Sequence, residues 1–182
     1  MKKITIAFLL LTIISCTQTK KESEALNLNT FEEKEQYLLQ LFNDDQKYRN
    51  SAEEASIKFG YHSEQHKSQL ELIIKQDSIN FENVTTYLAT YGYPSCKEFE
   101  ELACVGMVYI VGHSGKFEKQ KMVFKYFRDA YHSEKLDRDS FLFLLNEMHE
   151  SKYGYLYDFK NEFTFKERIQ ILIDFLKLEE SS

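Results

Sequence analysis

Asp45, Gln46 and Arg49 lie within one short stretch, and Asp77 and Asn80 form a second polar pair three residues apart. His113 stands in the run Gly112-His113-Ser114-Gly115-Lys116. A histidine serves as a general base when a carboxylate orients its ring and a substrate lies within hydrogen-bond reach. Asp45, Arg49, Asp77, Asn80 and His113 could therefore furnish a hydrolase-like cleft, if the fold brings them together. A plainer account is that Asp45, Arg49, Asp77 and Asn80 tie the first two helices to each other, since buried polar groups require partners and such networks specify packing. Asp45 and Arg49, four apart, also read simply as a surface pair worth a few tenths of a kcal/mol.

The other constellations are weaker. A nucleophile elbow needs Gly two residues after its serine, where Lys116 stands. A phosphate-cradling loop needs Gly five residues before its Gly-Lys pair and Ser or Thr after it, where Ile110 and Phe117 stand. Gly112 to Gly115 is then expected to end one helix before the next begins, with His113 near a helix C-terminus. His62 and His66 share a helix face at metal-binding spacing, but no third ligand is identifiable, so they read as a solvated pair and no metal site is expected. Asp137-Arg138-Asp139 reads as a helix cap. Cys96 and Cys104 would be about 12 Å apart on one continuous helix, beyond disulfide reach. With Cys96 in the turn before that helix a bridge is open to them; the alternative is a free Cys104 buried as a small hydrophobe.

Met1-Lys2-Lys3, the apolar run Ile4 to Ile14, and Ser15-Cys16 make the pattern of a lipoprotein signal peptide. The run is too short to span a bilayer, which takes about 20 apolar residues. Residues 1–15 are expected to be removed and Cys16 to carry lipid. The loss of Lys2 and Lys3 moves the net charge from −6 to about −8. So acidic a body argues against nucleic acid, whose phosphates are met by Lys and Arg, and leaves the acyl chains as the membrane attachment.

The elements that must position the polar set follow from periodicity. Residues 16–30 are polar and patternless and read as a tether, and residues 31–182 as one domain. Thr30 and Glu33 form a capping box for a helix from Phe31 to Arg49, with Ser51 to Gly60 weakly patterned. Ser63 caps a second helix that runs to Gly92, with an interruption expected near Asn80, and Tyr93-Pro94-Ser95 ends it. Phe99 to Val111 is apolar enough for either a buried helix or a buried strand; Glu98, Glu100 and Glu101 at its start favour helix. Phe117 to Tyr131, Ser140 to His149 and Phe163 to Leu178 show helical spacing, the last behind a Thr164 and Glu167 capping box. One Pro and six Gly are too few for the turns of an antiparallel β fold. The expected fold is all-α: a single irregular bundle or array of about six or seven helices.

In order along the chain, Asp45-Gln46-x-x-Arg49, Asp77-x-x-Asn80, Tyr91-Gly92-Tyr93-Pro94, His113 at the end of an apolar helix, and Lys152-Tyr153-Gly154 resemble the motifs of a bacterial domain-of-unknown-function family common in lipoproteins of Bacteroidota. That family pattern reads Asp-Gln-x-x-Arg, Asp-x-x-Asn, Tyr-Gly-Trp-Pro eleven residues on, Gln-His-x-Asp, Tyr-Leu-x-Asp-Arg and Tyr-Gly-Thr. The chain departs from it at Tyr93, Gly112, Gly115, Asn146-Glu147 and Tyr155. The resemblance spans most of residues 40–155 and brings no known activity. With polar positions replaced and no complete catalytic motif, the expected function is a lipid-anchored binding or scaffold module of the cell envelope, facing the periplasm or the outside, with an envelope protein partner and no cofactor. The alternative is a hydrolase-like enzyme working through Asp45, Arg49, Asp77 and His113.

Overall fold

The computed structural model describes residues 26–159 and 163–179. The leader, Cys16 and residues 16–25 of the tether lie outside them. Among the described residues there are six helices and no strand: α1 (Phe31–Phe59), α2 (Glu64–Tyr91), α3 (Glu101–His113), α4 (Phe117–His132), α5 (Arg138–Tyr153) and α6 (Phe165–Leu176).

The start signals act as the sequence indicates. Thr30 and Glu33, and again Thr164 and Glu167, bond reciprocally as capping boxes, Ser63 accepts from the amide of His66, and Asp137 accepts from the amides of Asp139 and Ser140. The ends were harder to read. α1 does not stop near Arg49 but continues to Phe59, because Ala52 and Ala55 keep a buried stripe on it and Ser51 returns its hydroxyl to the Lys47 carbonyl. It ends at Gly60, whose φ of 94° suits glycine. Nor is α2 interrupted near Asn80: the buried residues Asn80, Phe81, Val84, Tyr87 and Leu88 carry its inner face straight through.

α1 and α2 form a long antiparallel hairpin, and α3 lies against both. The Glu100 amide donates to Glu35 Oε1 and Phe42 packs on Tyr109, so α3 runs parallel to α1. α3 is apolar around nearly its whole circumference, as expected for a helix at the centre of a core; α5 covers its other side, and α4 and α6 flank α5. Gly106 lets α1 approach α3 closely, since a Cβ there would stand 3.0 Å from Phe42 Cβ. At about 1.5 Å per residue α3 is about 20 Å long and α1 about 44 Å, so the far half of the hairpin extends past His113.

Cys96 and Cys104 are bridged, with Cα atoms 5.4 Å apart. The open alternative of a free Cys104 thus falls. Cys96 sits in the turn before α3, where its amide donates to the Lys135 carbonyl, and the chain folds back within reach. Nor are His62 and His66 a solvated pair: His66 is buried against the Tyr61 ring. At the N-terminus, Tyr91 Oη accepts from the Leu28 amide and donates to the Leu26 carbonyl, docking residues 26–28 at the end of α2. His149 Nδ1 donates to the Tyr155 carbonyl at 2.8 Å within a ring of Tyr153, Tyr155, Tyr157 and Phe175, and so ties the connector after α5 to α6.

Candidate functional site

The parallel register of α1 and α3 carries the end of α3 to the middle of α1, where His113 meets Asp45. Asp45 is no surface residue; its side chain is fully buried. A carboxylate buried this deeply needs several donors, and it has them: His113 Nδ1 at 3.0 Å, Arg49 Nε at 3.1 Å and Gln46 Nε2 at 2.8 Å. Burial alone would raise its pKa, but the hydrogen bonds from His113 and Arg49 prevail and hold the carboxyl below its ordinary range. An ionised carboxylate only accepts, so Nδ1 carries the proton it shares with Asp45. His113 Nε2 makes no hydrogen bond among the described residues.

Arg49 also pairs with Asp77 of α2, bridging two carboxylates on different helices. Asp77 is pushed up to about 6 by burial, with Arg49 opposing and the Asp45 charge adding to the rise. Asp45, Arg49, Asp77 and His113 thus converge, four of the five residues of the cleft reading; the network reading named Asn80 in place of His113. Gln46 joins through Asp45. Asn80 does not join: it is buried one turn further along α2 and accepts only from Gln76 Nε2, with no bond to the other four.

Two clefts flank His113. One, of about 360 Å³, is lined by Ile74, Asp77, Ser78, His113, Ser114, Gly115, Lys116 and Lys119. The other, of about 390 Å³, has Arg49, Gly112, His113, Gly115, Glu147, Glu150 and Ser151 at its walls. Glu147 is raised by burial, with Glu150 adding to the rise and His113 opposing it. Gly112 and Glu147 also touch: a Cβ at Gly112 would stand 3.0 Å from Glu147 Cγ. Gln120, fully buried on α4, donates to the carbonyls of Val111 and Gly112 and to Ser151 Oγ, and so fixes the end of α3 that presents His113.

Sequence reasoning missed Ser78 and Lys119 and gave Glu147 no role in the site. The Lys116 and Lys119 spacing at the start of α4 was a legible signal, since residues three apart share a helix face. Among the described residues no three His, Cys, Asp or Glu side chains are grouped to hold a metal ion, and no helix is long and apolar enough to cross a membrane.

The fold and this site define an all-α helical protein with a charged junction of three helices opening into paired clefts. No family model matches the chain, and comparisons with curated proteins and with solved structures find no match.

Proposed function

We propose that this chain is a lipid-anchored protein of the bacterial cell envelope, attached through Cys16, whose helical body is a binding module with its ligand site at His113. The observation that carries the ligand site is the delivery of Asp45 and Arg49 from α1, Asp77 from α2 and His113 from α3 to one point that opens into two clefts. A network serving only to hold helices together has no need to line open space. The anchor rests on the basic start, apolar run and Ser15-Cys16 of the leader. The shared residues also support kinship with the bacterial family named above, as a divergent member.

Native mass spectrometry of the acylated protein purified from its envelope tests the ligand site. A bound species lost in both His113→Ala and Asp77→Ala supports it; a protein that carries nothing and cross-links to no envelope component near His113 overturns it. Cys16→Ala should release the protein from the membrane, and retention despite that change would refute the anchor.

A hydrolytic reading is favoured by one specific observation. Asp45 holds His113 through Nδ1 and leaves Nε2 unbonded, the orientation a general base requires. Ester turnover that disappears in His113→Gln and falls steeply in Asp45→Asn would establish it.

A further inference from the structure

The cleft beside Asp77 continues between α2 and α4. Lys119 lines it and also lines a second hollow, whose walls include Phe81, Glu82, Thr85 and Met122. The groove therefore has a stripe of α2 on one side, Ile74, Ser78, Phe81 and Thr85, and on the other Lys116, the residue before α4, with Lys119 and Met122 of α4. Both sets recur at the spacing of one helix face.

Its charges are unevenly placed. Deeper in, Arg49 is shared between Asp45 and Asp77, and His113 Nδ1 donates to Asp45. Lys116 and Lys119 make no ion pair among the described residues. Lys119 Nζ lies 5.0 Å from the centre of the Phe81 ring, held over the floor of the groove. Glu82 is the one carboxylate on the outer part of the groove, and it is exposed. In a chain with a net charge of −6, the outer part of the groove thus carries two lysines against one carboxylate. The groove is apolar at both ends: Ile74 is 71% exposed and Met122 is 64% exposed.

We infer that this groove binds a single-chain anionic amphiphile, its phosphate or carboxylate between Lys116 and Lys119 at the mouth of the His113 cleft and its apolar chain along Phe81 and Met122. The inference rests on the His113 cleft being a ligand site and adds the class of ligand. The cations supply attraction at close range in a partly desolvated cleft, where it is stronger than in bulk water. The apolar wall adds affinity in proportion to the surface it removes from water.

The test is an NMR titration of the full chain in a nonionic detergent with inorganic phosphate, hexyl phosphate and hexanol, followed at the amides of Ser78, Gly115 and Lys119. Hexyl phosphate should bind saturably and about tenfold tighter than inorganic phosphate, the gain expected when about two methylenes leave water. Lys116→Gln/Lys119→Gln should abolish both responses, while Lys121→Gln/Lys125→Gln, on another part of α4, should leave them intact. Circular dichroism checks that each double variant is folded. Phosphate binding that survives in Lys116→Gln/Lys119→Gln, equal affinity for phosphate and hexyl phosphate, or silence from all three probes overturns the inference. Hexanol binding at these amides without either phosphate also overturns it but leaves the cleft a ligand site. Silence together with nothing bound in native mass spectrometry removes the proposed function as well.

Discussion

His113 Nδ1 lies 3.0 Å from Asp45 Oδ2, a contact between residues 68 apart in sequence that joins the end of α3 to the middle of α1. Because Asp45 also accepts from Arg49, the three groups should be energetically coupled. A double-mutant cycle on Asp45→Asn and His113→Ala is expected to give a coupling of about 1–3 kcal/mol by urea denaturation. Additive losses would mean that the contact contributes nothing to stability.

Arg49 bridges Asp45 and Asp77, and a lysine offers no planar fork with which to do so. Arg49→Lys should cost about 1–2 kcal/mol, and Arg49→Ala more, because it leaves Asp77 without its partner and takes one donor from the fully buried Asp45. The corresponding measurement is the urea midpoint of each variant at pH 7.

The two carboxylates should pull the pH profile in opposite directions. The native pKa of Asp77 is raised to about 6, so between about pH 4 and 6 the folded state binds more protons than the unfolded chain and stability falls as pH rises. With allowance for solvent screening and Arg49, this amounts to about 1 kcal/mol. Asp45 is depressed, so its contribution is fully present above the unfolded value near 4 and is lost as pH falls through the native value. Urea melts at pH 4.5 and pH 7 should show the Asp77 loss in the parent protein and little of it in Asp77→Asn. An unchanged loss in that variant would assign it to another group.

Two buried glycines of α3 should respond differently to alanine. At Gly106 the new Cβ meets Phe42 Cβ at 3.0 Å, an atom fixed to the α1 backbone, so the helices must part; the expected cost is about 1–3 kcal/mol. At Gly112 it meets Cγ of the half-buried Glu147 at 3.0 Å, a side chain able to yield, and the gain in helix propensity offsets the strain. Gly112→Ala should fall within about 0.5 kcal/mol of the parent. Equal losses at both positions would contradict this assignment of the close contacts.

Removing the Cys96 to Cys104 bridge, which closes a loop of sequence separation 8, should lower stability by about 2–3 kcal/mol. Cys96→Ser is the variant of choice because it leaves Cys104 as a buried thiol. The denaturation midpoint with and without reductant should shift for the parent protein and not for Cys96→Ser.

Four helix starts were legible because each depends on residues within one turn: Thr30 with Glu33, Ser63, Asp137, and Thr164 with Glu167. The far half of α1 was less so, since Ala52 and Ala55 mark a buried stripe only once α2 lies across them. The membership of the polar set was legible in residue type and order. Its division was not: Asn80 shares a face with Asp77, yet the chemistry stops one turn short of it.

By itself, the sequence determined an all-α chain, the caps that start four of its helices and the charged groups available to a site, because propensity and capping are local. Only the tertiary structure decided that Asp45 is buried rather than a surface partner of Arg49, that Cys96 reaches Cys104, and that Lys116 and Lys119 border His113. Each of these depends on the register between segments distant in sequence, and that register follows from close packing of α3 on α1, through the Gly106 and Phe42 contact and the burial of an almost wholly apolar helix.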